Sequence, residues 1–256
     1  MESPVTSAQV VPTVVVLGMR VAKVTVAEFV AWLIGELSSS HTTPKLVSYV
    51  NAWCSNLASA NEEYAKVLRQ CDCVYADGQA IVWASRFLGA PLPERVNAGD
   101  FIVDFLQQLR ATGCSVFLLG SRKGVAAQAA SEFQRRVEGL RVVGTASGYF
   151  DGTGEDIAAQ IRVSGADLLL VGMGSPRQEF WMRDFAAASG ARAVWCVGAL
   201  FEYFGGERAR APVWMRRAGL EWLFRLILEP RRLWRRYVIG NLVFVWRVLK
   251  ARFARK

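Results

Sequence analysis

The sequence is poor in the residues on which several kinds of site depend. His41 is the only histidine among 256 residues, so we expect neither a histidine-based catalytic triad nor a zinc site built from several histidines. The five cysteines are an odd number without a C-x-x-C spacing, and the N-terminus has no secretory signal pattern. These features predict reduced thiols in a cytoplasmic protein.

Long apolar runs are also missing. The longest uncharged stretch near the C-terminus, Tyr237–Trp246, is about ten residues long and includes Asn241. A membrane-spanning helix needs about 20 predominantly apolar residues. We therefore expect the chain to lie on a membrane surface if it meets one, and not to cross it.

Positive charge is abundant but confined to one end. Residues 207–256 hold fourteen Lys/Arg against three Glu, a net charge of +11, whereas residues 1–206 hold 17 basic and 19 acidic groups. The C-terminal part also holds four of the nine tryptophans. We predict an α/β domain over residues 1–206 and a basic, amphipathic helical appendage over residues 207–256.

The composition of the appendage is compatible with three kinds of partner. Basic residues interleaved with Trp, Leu and Phe are typical of helices that lie on anionic lipid. Basic patches with aromatic residues also bind nucleic acid. A partner protein is the third option, and an apolar side on the appendage would favour a homo-oligomer in solution.

Short apolar runs alternate with helical patterns along residues 46–197. Leu46–Val50, Cys73–Ala76, Ser115–Leu119, Leu168–Val171 and Ala193–Val197 are the clearest predicted strands. Helices of 10–15 residues between such strands predict a mostly parallel, Rossmann-like sheet flanked by helices on both faces.

Local signals add detail at the N-terminal end. Val14–Leu17 and Val21–Val24 predict a hairpin. Thr25 and Glu28 have the spacing of a capping box, which predicts a helix to about Leu37. A single helix is predicted over residues 55–69.

Two polar residues follow predicted strands. Asn51 ends the strand Leu46–Val50, and Asp77 lies between Cys73–Ala76 and Gly78. Ligands of open α/β sheets bind outside the carboxyl ends of the strands. Asp77 is a candidate general base there, although Asp-Gly is also a common turn former.

The stretch Asp167–Trp181 combines a buried strand with a glycine turn and a helix start. Gly172 and Gly174 form the turn, Ser175 is the predicted N-cap and Pro176 the first helical residue. A strand, turn and capped helix present free N–H groups to an anion. Arg177 opposes the helix dipole, which indicates a ligand or partner there. An ordinary surface helix is the alternative.

A second glycine loop, Gly120-Ser121-Arg122-Lys123-Gly124, also joins a strand to a helix. Its glycines and cations fit a phosphate cradle. The loop matches neither the P-loop nor the dinucleotide-binding fingerprint, so it is a weak signal alone.

The appendage contains three arginines at helical spacing: Arg225, Arg232 and Arg235. Pro230 falls between the first two, so a single straight helix through all three cannot be assumed. Arginines on an interfacial helix suit a lipid-linked phosphate, which they can bind bidentately. The alternative is that they contact anionic head groups only.

Together these residues resemble a known family. Five stretches, in this order, are similar to the WecG/TagA/CpsF family of bacterial glycosyltransferases: Ala76–Gly78, Glu94–Val96, Leu119–Gly124, Gly172–Glu179 and Glu221–Arg232. The resemblance implies inverting transfer of a sugar from a UDP-sugar to a polyprenyl-diphosphate-linked saccharide in cell-surface polysaccharide synthesis. It also implies a peripheral protein at the inner face of the membrane, without a required metal or cofactor. The absence of an Asp-x-Asp motif agrees with that last point.

The resemblance also implies residue roles. Asp77 would be the base that deprotonates the acceptor hydroxyl, and Asn51 would position sugar or acceptor. Gln178, Arg177 and the preceding glycines would line the nucleotide-sugar pocket. Arg225, Arg232 and Arg235 would bind the acceptor diphosphate. Many family members have Thr two residues before the asparagine, where this chain has Tyr49.

From the residues alone, an inverting transfer needs one base, an anion cradle and exclusion of water. Asp77 supplies the base, and the loop at Gly120 and Ser121 or the turn at Gly172 and Gly174 supplies the cradle. A basic nucleic-acid-binding α/β protein without catalysis is the competing hypothesis. A regulator that binds a UDP-sugar without turnover is the third.

Overall fold

The computed structural model describes residues 10–254. Residues 1–9 of the predicted α/β domain and residues 255–256 of the predicted appendage lie outside this described range. Six strands form one parallel sheet in the order β4-β3-β8-β7-β5-β6. A separate hairpin pairs β1 with β2. The strands are β1 (Thr13–Val16), β2 (Met19–Ala22), β3 (Lys45–Val50), β4 (Cys73–Ala76), β5 (Val116–Gly120), β6 (Val142–Ala146), β7 (Leu168–Gly172) and β8 (Ala193–Cys196).

Helices connect the strands and cover the sheet. They are α1 (Val26–Ser38), α2 (Ala52–Ala60), α3 (Glu62–Gln70), α4 (Gln79–Phe87), α5 (Ala98–Ala111), α6 (Val125–Arg136), α7 (Gly154–Ser164), α8 (Arg177–Ser189), α9 (Leu200–Phe204), α10 (Val213–Arg217), α11 (Glu221–Leu228), α12 (Pro230–Trp234) and α13 (Gly240–Phe253). A π-helical turn, Arg235–Ile239, joins α12 to α13. The predicted α/β architecture with a basic helical C-terminal appendage is confirmed.

Most strands of the sheet are buried because helices cover both of its faces. Every residue of β4, β5, β7 and β8 is buried, which is why these strands read as continuous apolar runs. On one face, the fully buried Trp195 of β8 contacts Phe29, Phe101 and Phe105. Its indole N–H donates to the Tyr75 hydroxyl at 3.0 Å. This aromatic cluster ties α1 and α5 to β4 and β8.

Two of the three local predictions at the N-terminal end, the hairpin and the capping box, are confirmed. The hairpin turns through Leu17 and Gly18, both with positive φ. Thr25 and Glu28 form the capping box of α1. The single helix predicted over residues 55–69 is wrong, because Asn61 adopts an extended conformation and caps α3 by accepting from the Tyr64 N–H at 3.0 Å.

The C-terminal segment, residues 207–254, breaks before Pro230 as predicted, and it also breaks at Gly219. Its last helix packs on the core: Phe244 and Val248 are buried, and Asn56 of α2 donates to the Gly240 carbonyl at 2.7 Å. Along residues 10–254, no helix combines the length and apolar character needed to span a bilayer.

Candidate active site

A cleft of about 810 Å³ opens between the carboxyl ends of the strands and the C-terminal segment. This position agrees with the rule that ligands of parallel sheets bind beyond the carboxyl ends of strands. Six of the predicted site residues line it: Asn51, Asp77, Gly174, Arg177, Arg225 and Arg232.

Asp77 and Asn51 are brought together by strand pairing. Ala76 pairs with Val50 in the parallel register of β3 and β4, so the residues that follow them are neighbours. Gly78 fits beside them because it lacks a side chain: a Cβ there would lie 2.9 Å from the Asn51 Cβ. Gly78 has a φ of −103°, which any residue can adopt, so no left-handed turn requires glycine here. Glycine is needed at this position because Asn51 packs against it.

Asp77 lies partly buried in the cleft and has the pKa of a usable base. Burial raises this pKa to about 6, and the nearby Glu221 carboxylate adds to the rise. Arg95, a hydrogen bond with Asn51 and Arg225 act in the opposite direction. A carboxylate with a pKa near 6 is ionised at neutral pH and is more basic than an ordinary aspartate, as a general base requires.

Asn97 orients the Asp77 carboxylate. Its side-chain Nδ2 donates to Asp77 Oδ1 at 2.7 Å, and its Oδ1 accepts from Arg210 Nη2 at 2.9 Å. Arginine can only donate, so it requires the oxygen of the amide and turns the NH₂ group toward Asp77. Arg210 therefore fixes the direction in which Asn97 points.

An ion-pair network anchors the C-terminal segment beside this contact. Asp100 binds Arg95, Arg216 and Arg210, the last at 2.8 Å. Glu221 pairs with Arg95 at 3.4 Å. Three of these five groups, Arg210, Arg216 and Glu221, belong to the C-terminal segment, so the network holds the segment against the start of α5.

The turn after β7 differs from its prediction in detail. The helix begins at Arg177, and Ser175 does not cap it: the Ser175 hydroxyl donates to Glu179 Oε1 at 2.8 Å. Gln178 is fully buried beneath the cleft, where its Oε1 accepts from the N–H groups of Gly174 and Gly198. It therefore supports the cleft wall and is not among the residues that line the cleft.

Glu179 is also fully buried, which the sequence did not indicate. Its Oε1 accepts hydrogen bonds from Ser48, Ser175 and Gln178, while its Oε2 is buried without a partner among the described residues. Burial raises the pKa of this carboxyl, against the opposing effect of the three hydrogen bonds.

Gly120, Ser121 and Gly172 lie outside the cleft lining. The strand β5 is four positions from β4 in the sheet, about 19 Å at 4.8 Å per strand. The Ser121 N–H donates to the Gly172 carbonyl at 2.9 Å, and a Cβ on Gly120 would lie 2.3 Å from that oxygen. These residues pack two strand ends together and do not present free N–H groups to the cleft.

The cleft contains cations without carboxylate partners. Among the described residues, Arg225, Arg236 and Arg177 have no carboxylate within 4.0 Å, whereas Arg232 pairs with Glu229 at 2.6 Å. Arg236 lies over the Trp53 ring at 5.4 Å, and Arg177 lies over Tyr149 at 5.0 Å. Arg235 lies outside the cleft lining, exposed over Trp234 at 5.5 Å.

Three further cleft residues were not predicted from the sequence: Asn97, Arg236 and Tyr49. Tyr49 is buried, and its hydroxyl lies 2.5 Å from where a Cβ on Gly198 would be. The only sequence signal at Tyr49 is that many members of the similar family have Thr at this position. Within residues 10–254, His, Cys, Asp and Glu side chains form no group of three that could hold a metal ion.

Comparisons with known proteins give a matching family and several named relatives. The family model described as "Glycosyl transferase WecG/TagA/CpsF family" matches residues 14–256. A relative from Bacillus spizizenii is 31% identical over 70% of this chain and 69% of its own length. A relative from Staphylococcus aureus is 26% identical over 93% of this chain and 92% of its own. Both are named N-acetylglucosaminyldiphosphoundecaprenol N-acetyl-beta-D-mannosaminyltransferase.

Proposed function

The chain belongs to the WecG/TagA/CpsF family of glycosyltransferases, and we propose that it transfers a sugar from a UDP-sugar to a polyprenyl-diphosphate-linked saccharide with inversion at the anomeric carbon. The observation that carries this proposal is Asp77, a base with a pKa of about 6 in a cleft that also contains arginines without carboxylate partners. The relatives' names make N-acetylmannosamine the first sugar to test and an N-acetylglucosaminyl diphosphate lipid the first acceptor.

Asp77 acts as the general base in this proposal. The acceptor hydroxyl oxygen attacks the anomeric carbon of the donor, the bond from that carbon to UDP breaks, and the hydroxyl proton passes to Asp77. Asn97 holds the carboxylate in the direction needed for this transfer. A positioned base contributes about two to four decades of rate.

Two cationic groups of the cleft suit the two diphosphates of the reaction. Arg225 and Arg236 of the C-terminal segment, with Arg232 close to Glu229, suit the acceptor diphosphate, because guanidinium groups bind phosphate oxygens bidentately. Gly174 and Arg177 at the start of α8 suit the diphosphate of UDP, since a helix N-terminus and an arginine both favour an anion. The proposed binding of Arg235 to diphosphate is not retained, because Arg235 lies outside the cleft lining.

The outer face of the C-terminal segment fits an anionic membrane surface. Ile227, Leu242, Trp246 and Phe253 are each 59–68% exposed on helices that also carry Arg and Lys. Apolar side chains with surrounding cations bind interfacial lipid, with about 1 kcal/mol from each cation near the surface. Peripheral binding at the inner membrane face would bring the cleft to its lipid-linked acceptor.

Product analysis tests the proposal. The full chain is incubated with UDP-N-acetylmannosamine and N-acetylglucosaminyl diphosphate linked to a polyprenol, without added metal and with EDTA as a second condition. Mass spectrometry should detect one added N-acetylhexosamine on the lipid, and NMR of the released disaccharide should show an inverted anomeric centre. A retained anomeric configuration would exclude direct displacement assisted by Asp77.

The competing hypothesis of nucleic-acid binding gains no support from the relatives, which are named as transferases. Flotation with anionic vesicles and filter binding to single-stranded DNA separate the two. We expect flotation with vesicles and no retention of DNA at 150 mM salt. DNA binding that falls steeply with salt, in the absence of flotation, would favour the competitor.

A further inference from the structure

An apolar groove extends the cleft between α4 and α13. Its rims are two pairs of side chains at i, i+4 spacing, Trp83 with Phe87 on α4 and Val245 with Leu249 on α13. Each of the four is 42–55% exposed. Two large exposed apolar side chains on each wall of one cavity are unusual in the absence of a bound apolar molecule.

The floor of the groove is apolar as well. Ala84 of α4 and Phe244 and Val248 of α13 line the same cavity, and all three are buried. The small side chains of Ala80 and Ala84 on α4 leave room for a chain-like ligand between the bulky rims. The groove therefore has an apolar floor and apolar walls along its length.

Both helices run from the polar centre of the cleft toward the groove. α4 starts two residues after Asp77, and α13 follows the π-helical turn that carries Arg236. The far ends of the helices meet, since the Arg252 guanidinium lies over the Phe87 ring at 5.9 Å. From Gln79 to Phe87 the helix rises about 12 Å. One cavity thus changes from a base, to cations, to an apolar channel.

This order of groups matches the order of groups in one molecule. A polyprenyl diphosphate saccharide presents a sugar hydroxyl, then a diphosphate, then a hydrocarbon chain. We propose that the α4–α13 groove binds the first isoprene units of the acceptor, with its diphosphate at Arg225 and Arg236. This inference rests on the proposed function for the identity of the acceptor. A protein partner would have no need of the cationic end, and a flat lipid surface would not enter between the helices.

Binding of chain-length analogues tests the groove without turnover. The affinities of farnesyl diphosphate and methyl diphosphate for the full chain are measured by titration calorimetry below the micelle concentration. We expect farnesyl diphosphate to bind more tightly by about tenfold or more, because burial of its apolar surface is favourable. Trp83→Gln and Val245→Gln should each remove most of that preference and leave the affinity for methyl diphosphate unchanged.

Trp214→Gln is the matched control. Trp214 is 65% exposed and lies outside the cavity lining, so its replacement should keep the preference for the longer chain. Thermal unfolding of each variant checks that the fold is intact, as expected for substitution of half-exposed side chains. The proposal would be overturned if the wild type bound the two diphosphates equally tightly. It would also be overturned if both groove variants kept the preference for farnesyl diphosphate.

Two other outcomes have separate meanings. A wild-type dimer that Trp83→Gln converts to a monomer in sedimentation, without any chain-length preference, would assign the groove to a second copy and overturn the lipid assignment. Absence of sugar transfer in the product assay, with the farnesyl preference intact, would contradict the proposed function and leave the groove standing.

Discussion

Asn97 donates a hydrogen bond of 2.7 Å to the Asp77 carboxylate, and the direction of that amide is set by Arg210 at its other end. Arg210 belongs to the C-terminal segment, while Asp77 ends a strand of the sheet. The segment that carries the positive charge therefore orients the candidate base through Asn97, while its Glu221 and Arg225 act on the pKa of that base. Docking of the segment and orientation of the base are physically linked.

Replacing Asn97 by alanine tests this link. Loss of a hydrogen bond to the ionised carboxylate should raise the pKa of Asp77 further, because that bond favours the charged form. We expect kcat to fall about tenfold, with the acid limb of the pH profile displaced upward and KM for the donor little changed. Steady-state kinetics from pH 5 to pH 9 measure both effects.

Gln108→Ala is the control for the Asn97 variant, since Gln108 is an exposed amide on the same helix α5. It should leave rate and profile unchanged. A fall in kcat with an unshifted acid limb would mean that Asn97 supports the structure without acting on Asp77.

The pH dependence of the wild type follows from the pKa of Asp77. The base must be ionised, and its pKa is raised to about 6 by burial. We expect kcat/KM to fall about tenfold per pH unit below pH 6 and to be flat between pH 7 and pH 8.5. An acid limb near pH 4 would indicate a normal carboxylate in the free enzyme, contrary to the cleft described above.

The same shift predicts a gain in stability when Asp77 is neutralised. The folded-state pKa of about 6 lies above the ordinary value of 3.8, so the stability that this group contributes below pH 4 is lost as pH rises through 6. Asp77→Asn should raise the free energy of unfolding by about 1–3 kcal/mol at pH 7.5 and by little at pH 4.5. Urea unfolding at the two pH values measures this. Asp104→Asn, an exposed change on α5, should show no such difference between them.

Asp100 is the anchor of the C-terminal segment, because three arginines bind its carboxylate. Asp100→Ala leaves Arg95, Arg210 and Arg216 without this partner. We expect faster trypsin cleavage after Arg208, Arg210 or Arg216 and a lower kcat through loss of the Arg210–Asn97 orientation. Asp104→Ala is the matched control, as Asp104 is exposed and has no ion pair among the described residues. Unchanged cleavage in Asp100→Ala would show that the apolar contacts of α13 alone hold the segment.

The sequence predicted the sheet and the position of Asp77 and Asn51 for physical reasons. Buried parallel strands are nearly continuous apolar runs, and the carboxyl ends of neighbouring strands meet at one edge. These rules need only local patterns. Gly120 and Ser121 follow the same rules but lie on a strand far from β4 in the sheet order, which no local pattern reveals.

Other site residues depend on contacts that local patterns cannot show. Asn97 is oriented by a residue 113 positions later in the chain. Arg236 lines the cleft, whereas Arg235 does not. Both follow Arg232 at helical spacing, at i+4 and i+3, so spacing alone does not choose between them. Gln178 is buried because its Oε1 accepts hydrogen bonds from the backbone N–H groups of Gly174 and Gly198.

The most direct measurement of the central claim is UDP release from a panel of UDP-sugars by the wild type and by Asp77→Asn, with and without N-acetylglucosaminyl diphosphate polyprenol. We expect UDP release from one sugar only, and only with the lipid acceptor present. Release should be about two to four decades slower in Asp77→Asn, whose isosteric side chain keeps the contact with Asn97. Full activity of a folded Asp77→Asn variant, or release that does not depend on the acceptor, would contradict the central claim.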